Sequence, residues 1–175
     1  VLSNVEPDVA WANDNRTIVY IRKDPQTLLG NKVYRHERGT EPTKDALVYE
    51  QEDESFYMSV AKSKSDRYIY IASQSTVSSE YRFADAADST LSFKVAVVRE
   101  RDHEYQLEDL GDRFIIRTNW KALNFRLVEA PIATVGDRNT WKDVIPHRDD
   151  TFIGSFETFD HYLAVSERSG DRKST

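Results

Sequence analysis

The 175-residue sequence contains no cysteine and only six glycines, and both shortages restrict its chemistry. Without cysteine there can be no disulfide, no thiolate zinc site and no cysteine nucleophile. No two glycines are four residues apart, so the Gly-x-Ser-x-Gly turn that exposes the nucleophile of many serine hydrolases is absent. The glycine spacings of phosphate-binding and dinucleotide-binding loops are missing as well. We therefore expect neither a cofactor nor a catalytic residue in this stretch.

Long apolar runs and a basic excess are also lacking. No apolar segment approaches the ~20 residues that a membrane-spanning helix needs. The net charge of −6 disfavours nucleic acid as a partner, because such binding depends on clustered Lys and Arg. Residues 1–7 show neither the basic nor the apolar part of a secretory signal, and they have the character of an internal segment of a longer chain. The composition predicts a soluble protein of a reducing, cytoplasmic compartment, with neither membrane nor nucleic acid as partner.

Metal-binding spacings are not found either. His36 and His103 each precede a glutamate, but neither is followed by a second histidine four residues later, and neither lies in a helical pattern. The acidic run 50–54 is interpreted as a solvated connection between strands. We therefore expect no metal site and interpret the four histidines as surface or internally hydrogen-bonded residues.

What the sequence does contain is a repeat. Four segments combine a polar turn, a basic residue in most copies, and a run of β-branched and aromatic residues, and they recur about every 48 residues. A second marker, an aromatic residue followed by arginine, accompanies the first three copies. The segments are NRTIVYI (15–21), DRYIYI (66–71), DRFII (112–116) and DHYLAV (160–165), and the second markers are Tyr34-Arg35, Tyr81-Arg82 and Phe125-Arg126.

Further short strands are predicted on both sides of these markers, at residues 8–11, 56–61, 104–107 and 152–156 before them and at 46–49 and 94–98 after them. Four short strands in about 45–50 residues are typical of one propeller blade. The marker strands are almost continuously apolar, which indicates central strands buried on both faces. No segment has a sustained helical period.

The predicted fold class is therefore all-β, a partial β-propeller of about three and a half four-stranded antiparallel blades. We treat 1–175 as a single fragment of a propeller domain. Its units span approximately 5–50, 55–99, 103–146 and an incomplete 150–168, followed by a loop or chain end at 169–175. A half blade exposes an unpaired strand edge, so we expect the isolated chain to form edge-mediated homodimers or aggregates.

Several motifs, in order over about 165 residues, resemble the propeller of the oligopeptidase B (protease II) group within the prolyl oligopeptidase family. They include Trp11-Ala12-Asn13-Asp14, Val33-Tyr34-Arg35-His36, Asp102-His103-Glu104-Tyr105, Thr118-Asn119, Asn124-Phe125 and Trp141 with Ile145-Pro146. The resemblance implies a seven-bladed propeller over an α/β-hydrolase domain. That domain carries a Ser-Asp-His triad and cleaves short peptides after Arg or Lys.

On this resemblance, the chain is a non-catalytic propeller fragment of a serine endopeptidase. It admits short basic peptides, packs against the catalytic domain of the same polypeptide, and is inactive alone because a triad needs all its members together. Two alternatives stay open. One is a free-standing propeller-like module that binds peptides or proteins without hydrolase activity. The other, which has weaker support, is a carbohydrate-active propeller, which would need carboxylates converging on the inner strands.

Candidate contact residues are His103, Glu104 and Tyr105, which precede or open the innermost strand of the third unit. We interpret them as substrate-gating or interdomain residues. The Glu104 carboxylate could attract a basic peptide side chain by charge pairing. The competing interpretation of the same three residues is a turn followed by a core tyrosine.

Overall fold

A computed structural model describes residues 2–170 and the backbone of 172–174, and it consists of 15 β-strands in four antiparallel sheets. Within each sheet the strand order follows the chain, so every sheet is a simple meander. The described residues form three short 3-10 turns (Pro42–Lys44, Ile132–Thr134 and Arg138–Thr140) and no α-helix. The prediction of an all-β partial propeller is confirmed. None of the helices in the described residues is long and apolar enough to cross a membrane.

The first sheet contains β1 (Val5–Trp11), β2 (Thr17–Lys23), β3 (Gly30–Glu37) and β4 (Ala46–Glu50), and the second contains β5 (Tyr57–Lys62), β6 (Tyr68–Gln74), β7 (Ser79–Asp85) and β8 (Lys94–Val95). The third contains β9 (Tyr105–Leu110), β10 (Arg113–Thr118), β11 (Arg126–Pro131) and β12 (Lys142–Ile145), and the fourth contains β13 (Thr151–Thr158), β14 (Leu163–Ser169) and β15 (Arg172–Ser174). Each repeated apolar run contributes to the second strand of its sheet.

Two strands were not predicted, because neither contains more than two consecutive apolar residues. β12 is the four-residue segment KDVI, which is mostly exposed and joins its sheet by backbone pairing with β11. β15 lies in the segment 169–175, which the sequence predicts to be a loop, and it pairs with β14 after Gly170 turns the chain with a φ of +55°. The predicted loop is therefore wrong for 172–174, while residues 171 and 175 lie outside the described residues. The strand predicted at 94–98 is shorter than expected, with only two paired residues.

The turn between the first two strands of a sheet explains why the repeat begins with Asn or Asp. Asn15, Asp66 and Gly111 have φ values of 54°, 60° and 64°, and each lies two residues before the second strand of its sheet. Asn, Asp and Gly are the residues that tolerate this left-handed conformation. In the third copy, the residue equivalent to Asn15 and Asp66 is therefore Gly111, which lies one residue before Asp112, the start of the repeated segment in the sequence.

The chain divides into two compact units. The first unit comprises the chain up to Thr76 together with Tyr81–Val95, and the second comprises Val77–Glu80 together with the chain from Ala96 onward. The core of the first unit is formed by the fully buried central residues of β2 and β6 and by their neighbours: Ala10, Ala12, Val19, Ile21, Val33, Val60, Ile69, Ile71, Ala84, Ala86 and Leu91.

A polar network supports the start of β4 in the first unit. The Asp45 side chain is only 1% exposed. It accepts a hydrogen bond from the Tyr20 hydroxyl at 2.7 Å and lies 2.6 Å from His36 Nδ1. The Arg22 guanidinium lies 3.7 Å from the same carboxylate and 4.2 Å from the centroid of the Tyr34 ring. A buried charge needs this degree of compensation, so the network fixes β4 against β2 and β3.

The core of the second unit includes Ile115, Phe125, Leu127 and Ile153. Arg117 is buried among them, where its Nε donates to the Ile153 carbonyl at 2.8 Å and its guanidinium lies 3.5 Å from the centroid of the Phe125 ring. This contact joins the third and fourth sheets through a hydrogen bond and a cation–π interaction.

Candidate functional site

The three candidate residues lie at the start of β9, at the edge of the third sheet, and two of them are buried. His103 and Tyr105 are 2% and 1% exposed, whereas Glu104 is partly exposed. Of the three side chains, only Glu104 is therefore accessible to a ligand in this structure. The assignment of all three to substrate gating stays a prediction.

Tyr105 makes hydrogen bonds through both its side chain and its backbone. Its hydroxyl donates to the Val97 carbonyl at 2.8 Å, and its backbone N–H donates to Ser79 Oγ at 2.6 Å. The Ser79 hydroxyl in turn donates to the Tyr105 carbonyl at 2.8 Å. The ring stacks on His103 with centroids 5.2 Å apart. These contacts make Tyr105 a packing residue of the second unit.

The hydrogen bonds of its two ring nitrogens favour the neutral form of His103. Nδ1 lies 3.1 Å from an N–H group of Arg138, and Nε2 lies 2.9 Å from Thr118 Oγ1. Because a guanidinium only donates, Nδ1 must accept and Nε2 must carry the proton. Burial, followed by the charge of Arg138, lowers the pKa of His103 to about 4, against a smaller opposing effect of Glu100. The ring therefore stays uncharged at neutral pH.

Arg138 is the centre of an arrangement that the sequence did not reveal. Its guanidinium lies 3.7 Å from the centroid of the Trp120 ring and 5.9 Å from that of Trp141. It also pairs with Glu100 at 2.7 Å, and the hydrogen bond from Arg138 holds the pKa of Glu100 below its usual value. The five residues of this arrangement, His103 included, are scattered between positions 100 and 141. We call Glu100, His103, Trp120, Arg138 and Trp141 the caged-arginine cluster.

Asn119 fixes the backbone that carries Glu104. Its Oδ1 accepts from the Glu104 N–H at 2.9 Å, its Nδ2 donates to the Asp102 carbonyl at 3.1 Å, and its N–H donates to the Glu104 carbonyl at 3.1 Å. Within the part of the chain that the structure describes, no Lys or Arg pairs with the Glu104 carboxylate. The segment thus presents one carboxylate from a rigid backbone.

Neither a catalytic triad nor a metal site is assembled in residues 2–170. None of the histidines described there hydrogen-bonds to a serine hydroxyl, and no group of three or more His, Asp or Glu side chains is placed to hold a metal ion.

Residues 1–174 match the family model of the prolyl oligopeptidase N-terminal β-propeller domain. The chain belongs to this family. The family-level prediction from the sequence motifs is thereby confirmed, and the four meander sheets are consecutive portions of a prolyl oligopeptidase propeller.

Named relatives agree with this family. The chain is 48% identical over 169 residues to dipeptidyl aminopeptidase BI of Pseudoxanthomonas mexicana, covering 96% of the chain and 23% of the relative. It is 30% identical over 138 residues to protease 2 of Moraxella lacunata, covering 78% and 19%. The structure of oligopeptidase B from Leishmania major superposes with a TM-score of 0.89 at 26% identity, covering 97% and 24%. The chain thus spans about a quarter of the length of these peptidases.

Proposed function

We propose that this chain is the substrate-admitting part of a peptidase that cleaves short peptides after Arg or Lys and whose α/β-hydrolase domain carries the catalytic triad. The observation that supports the proposal is the family match over residues 1–174, together with relatives about four times as long that are named as peptidases. The propeller would limit access to short peptides and pack against the catalytic domain. The chain itself contributes no catalytic residue.

Two features bear on which peptides are cleaved. The likeness to oligopeptidase B and the unpaired Glu104 carboxylate support cleavage next to basic residues, since a carboxylate on a rigid backbone attracts a cationic side chain. The higher identity to a protein named dipeptidyl aminopeptidase supports a second candidate, release of dipeptides from a free amino terminus.

A hydrolysis assay should separate these candidates. We expect no turnover by the 175-residue chain alone, and turnover by the polypeptide encoded by the full reading frame. An amino-terminally blocked arginyl peptide is a substrate only if the activity is endopeptidic, whereas a free-amine dipeptidyl substrate reports dipeptide release. Hydrolysis by the chain alone would contradict the proposal.

Glu104→Gln in the full polypeptide tests the role of this residue. We expect kcat/KM for a basic peptide to fall about 2-fold to 5-fold, the effect of one partly exposed ion pair, with no change for a neutral peptide. Glu54→Gln, which alters an exposed carboxylate in the first unit, is the matched control. Equal losses for basic and neutral peptides would assign Glu104 a purely structural role.

We also propose that the isolated chain self-associates through strand edges. Among the described strands, the fourth sheet has three strands where the others have four, and β15 pairs on one side with β14. An unpaired edge offers N–H and C=O groups to a second chain. Sedimentation velocity should show dimers or larger species that increase with concentration, and a monomer throughout the concentration series would contradict the proposal.

A further inference from the structure

The first unit contains a charged groove of about 590 Å³. It lies among the β1–β2 turn, the connection that precedes β4, and the connection between β7 and β8. We call it the β4 groove. Its lining residues are Asp14, Arg16, Thr17, Arg35, Glu37, Thr40, Lys44, Ala46 and Ser89.

The two carboxylates that line the groove already have hydrogen-bond or ion-pair partners within the chain. Asp14 accepts hydrogen bonds from the N–H groups of Arg16 and Thr17 at 2.8 Å and from the Thr17 hydroxyl at 2.7 Å, and these bonds lower the pKa of Asp14. Glu37 pairs with Arg16 at 2.7 Å. Neither carboxylate therefore needs a cationic ligand.

The other two cationic residues of the groove, Lys44 and Arg35, have fewer ion-pair partners among the described residues than Arg16. Lys44 is exposed, and within the described chain no carboxylate pairs with its ammonium. Arg35 donates to the Ser89 carbonyl. The nearby Asp88 carboxylate accepts from the hydroxyl and the N–H of Thr90 at 2.8 Å, and these bonds, with a smaller contribution from the charge of Arg35, lower the pKa of Asp88. A guanidinium has five donors, so Arg35 retains donors for a further acceptor.

The backbone at Arg35 and at Lys44 is fixed before any ligand binds. Arg35 lies opposite Ala46 in the β3–β4 register. Lys44 immediately precedes Asp45, whose buried carboxylate is bound by Tyr20 and His36. A backbone that is fixed in advance reduces the ordering cost of binding an anion, which is then confined to the side chains.

We propose that the β4 groove binds the carboxylate of a peptide, with Lys44 and Arg35 as the donors. A single negative charge fits this setting better than a phosphate, because Asp14 and Glu37 line the same groove and repel a doubly charged group. The carboxylate could be a peptide carboxyl terminus or an Asp or Glu side chain, which present the same chemistry.

Three pentapeptides distinguish these sources in calorimetric titrations of the 175-residue chain, with amide chemical shifts to locate the site. One has an internal Glu and blocked ends, one has a free carboxyl terminus and no acidic side chain, and one has neither. We expect one or both carboxylate peptides to bind, to shift the amide signals of Lys44 and Ala46, and to weaken with added salt. Comparable binding of the uncharged peptide, or no binding of any peptide, would overturn the proposal.

Lys44→Gln supplies the mutational test, because the side chain is exposed and the variant should fold normally. We expect the affinity for the binding peptide to fall about 3-fold to 5-fold, and Lys44→Glu to reduce it further. Lys121→Gln, an exposed lysine outside the groove, should leave the affinity unchanged. Unchanged binding by both Lys44 variants would overturn the assignment of Lys44 as a donor.

Discussion

Replacing Asp45 with alanine is expected to lower the free energy of unfolding by about 3–5 kcal/mol, the usual cost of removing one partner from a buried charge network. The Asp45 side chain is 1% exposed and accepts from the Tyr20 hydroxyl at 2.7 Å. Burial, followed by this hydrogen bond, raises the pKa of Tyr20 to about 12, so the hydroxyl is protonated and donates at any ordinary pH. Without Asp45, Tyr20 and His36 lose their hydrogen-bond acceptor, and Arg22 loses its carboxylate partner.

Urea unfolding followed by circular dichroism measures this loss. Asp45→Asn keeps the shape but removes the charge, so it should cost less than the alanine variant. Tyr20→Phe removes two hydrogen bonds, the one that the hydroxyl donates to Asp45 and the one that it accepts from Arg22, and should cost about 1–3 kcal/mol. Asp8→Ala, at an exposed position on β1, is the matched control and should have little effect. If Asp45→Ala were no more destabilising than Asp8→Ala, the network would have no role in stability.

The sequence predicts most of this fold because backbone requirements leave visible traces in it. Asn15 and Asp66 stand at left-handed turn positions that few other residue types tolerate, and the apolar runs after them are the central strands of their sheets. β12 and β15 leave no such trace. They are short, with no more than two consecutive apolar residues, and they join their sheets through backbone hydrogen bonds with β11 and β14 that any residue type except proline can make.

The candidate site is less predictable because its geometry depends on residues distant in the chain. The sequence draws attention to His103, Glu104 and Tyr105 as a contiguous motif. Their different accessibilities arise from Thr118, Trp120 and Arg138, which lie 15 to 35 residues away. Asp45 is a similar case. It stands between an exposed lysine and an exposed alanine, so no apolar periodicity indicates that its carboxylate is buried.

Acidification is expected to destabilise the protein through His103. Its pKa is about 4 in the folded chain and about 6.5 when unfolded, so the unfolded state binds a proton first. The contribution of the neutral ring to stability is complete above pH 6.5, decreases as the pH falls towards 4, and does not decrease further below that. Between pH 7 and pH 5 the linked loss amounts to about 2 kcal/mol.

His103→Gln isolates this contribution, because a glutamine amide can donate and accept in place of the ring but does not titrate. We expect the free energy of unfolding, measured in urea at each pH, to fall between pH 7 and pH 5 by about 2 kcal/mol less in the variant than in the parent chain. The lowered pKa values of Asp14, Asp24, Asp88 and Glu100 act mainly below this window, because carboxylates titrate near pH 4 when unfolded. His161→Gln, which removes an exposed histidine, is the matched control. Equal slopes for the parent and His103→Gln would mean that His103 accepts a proton in the folded chain as readily as in the unfolded one, so that Arg138 and burial do not hold the ring neutral.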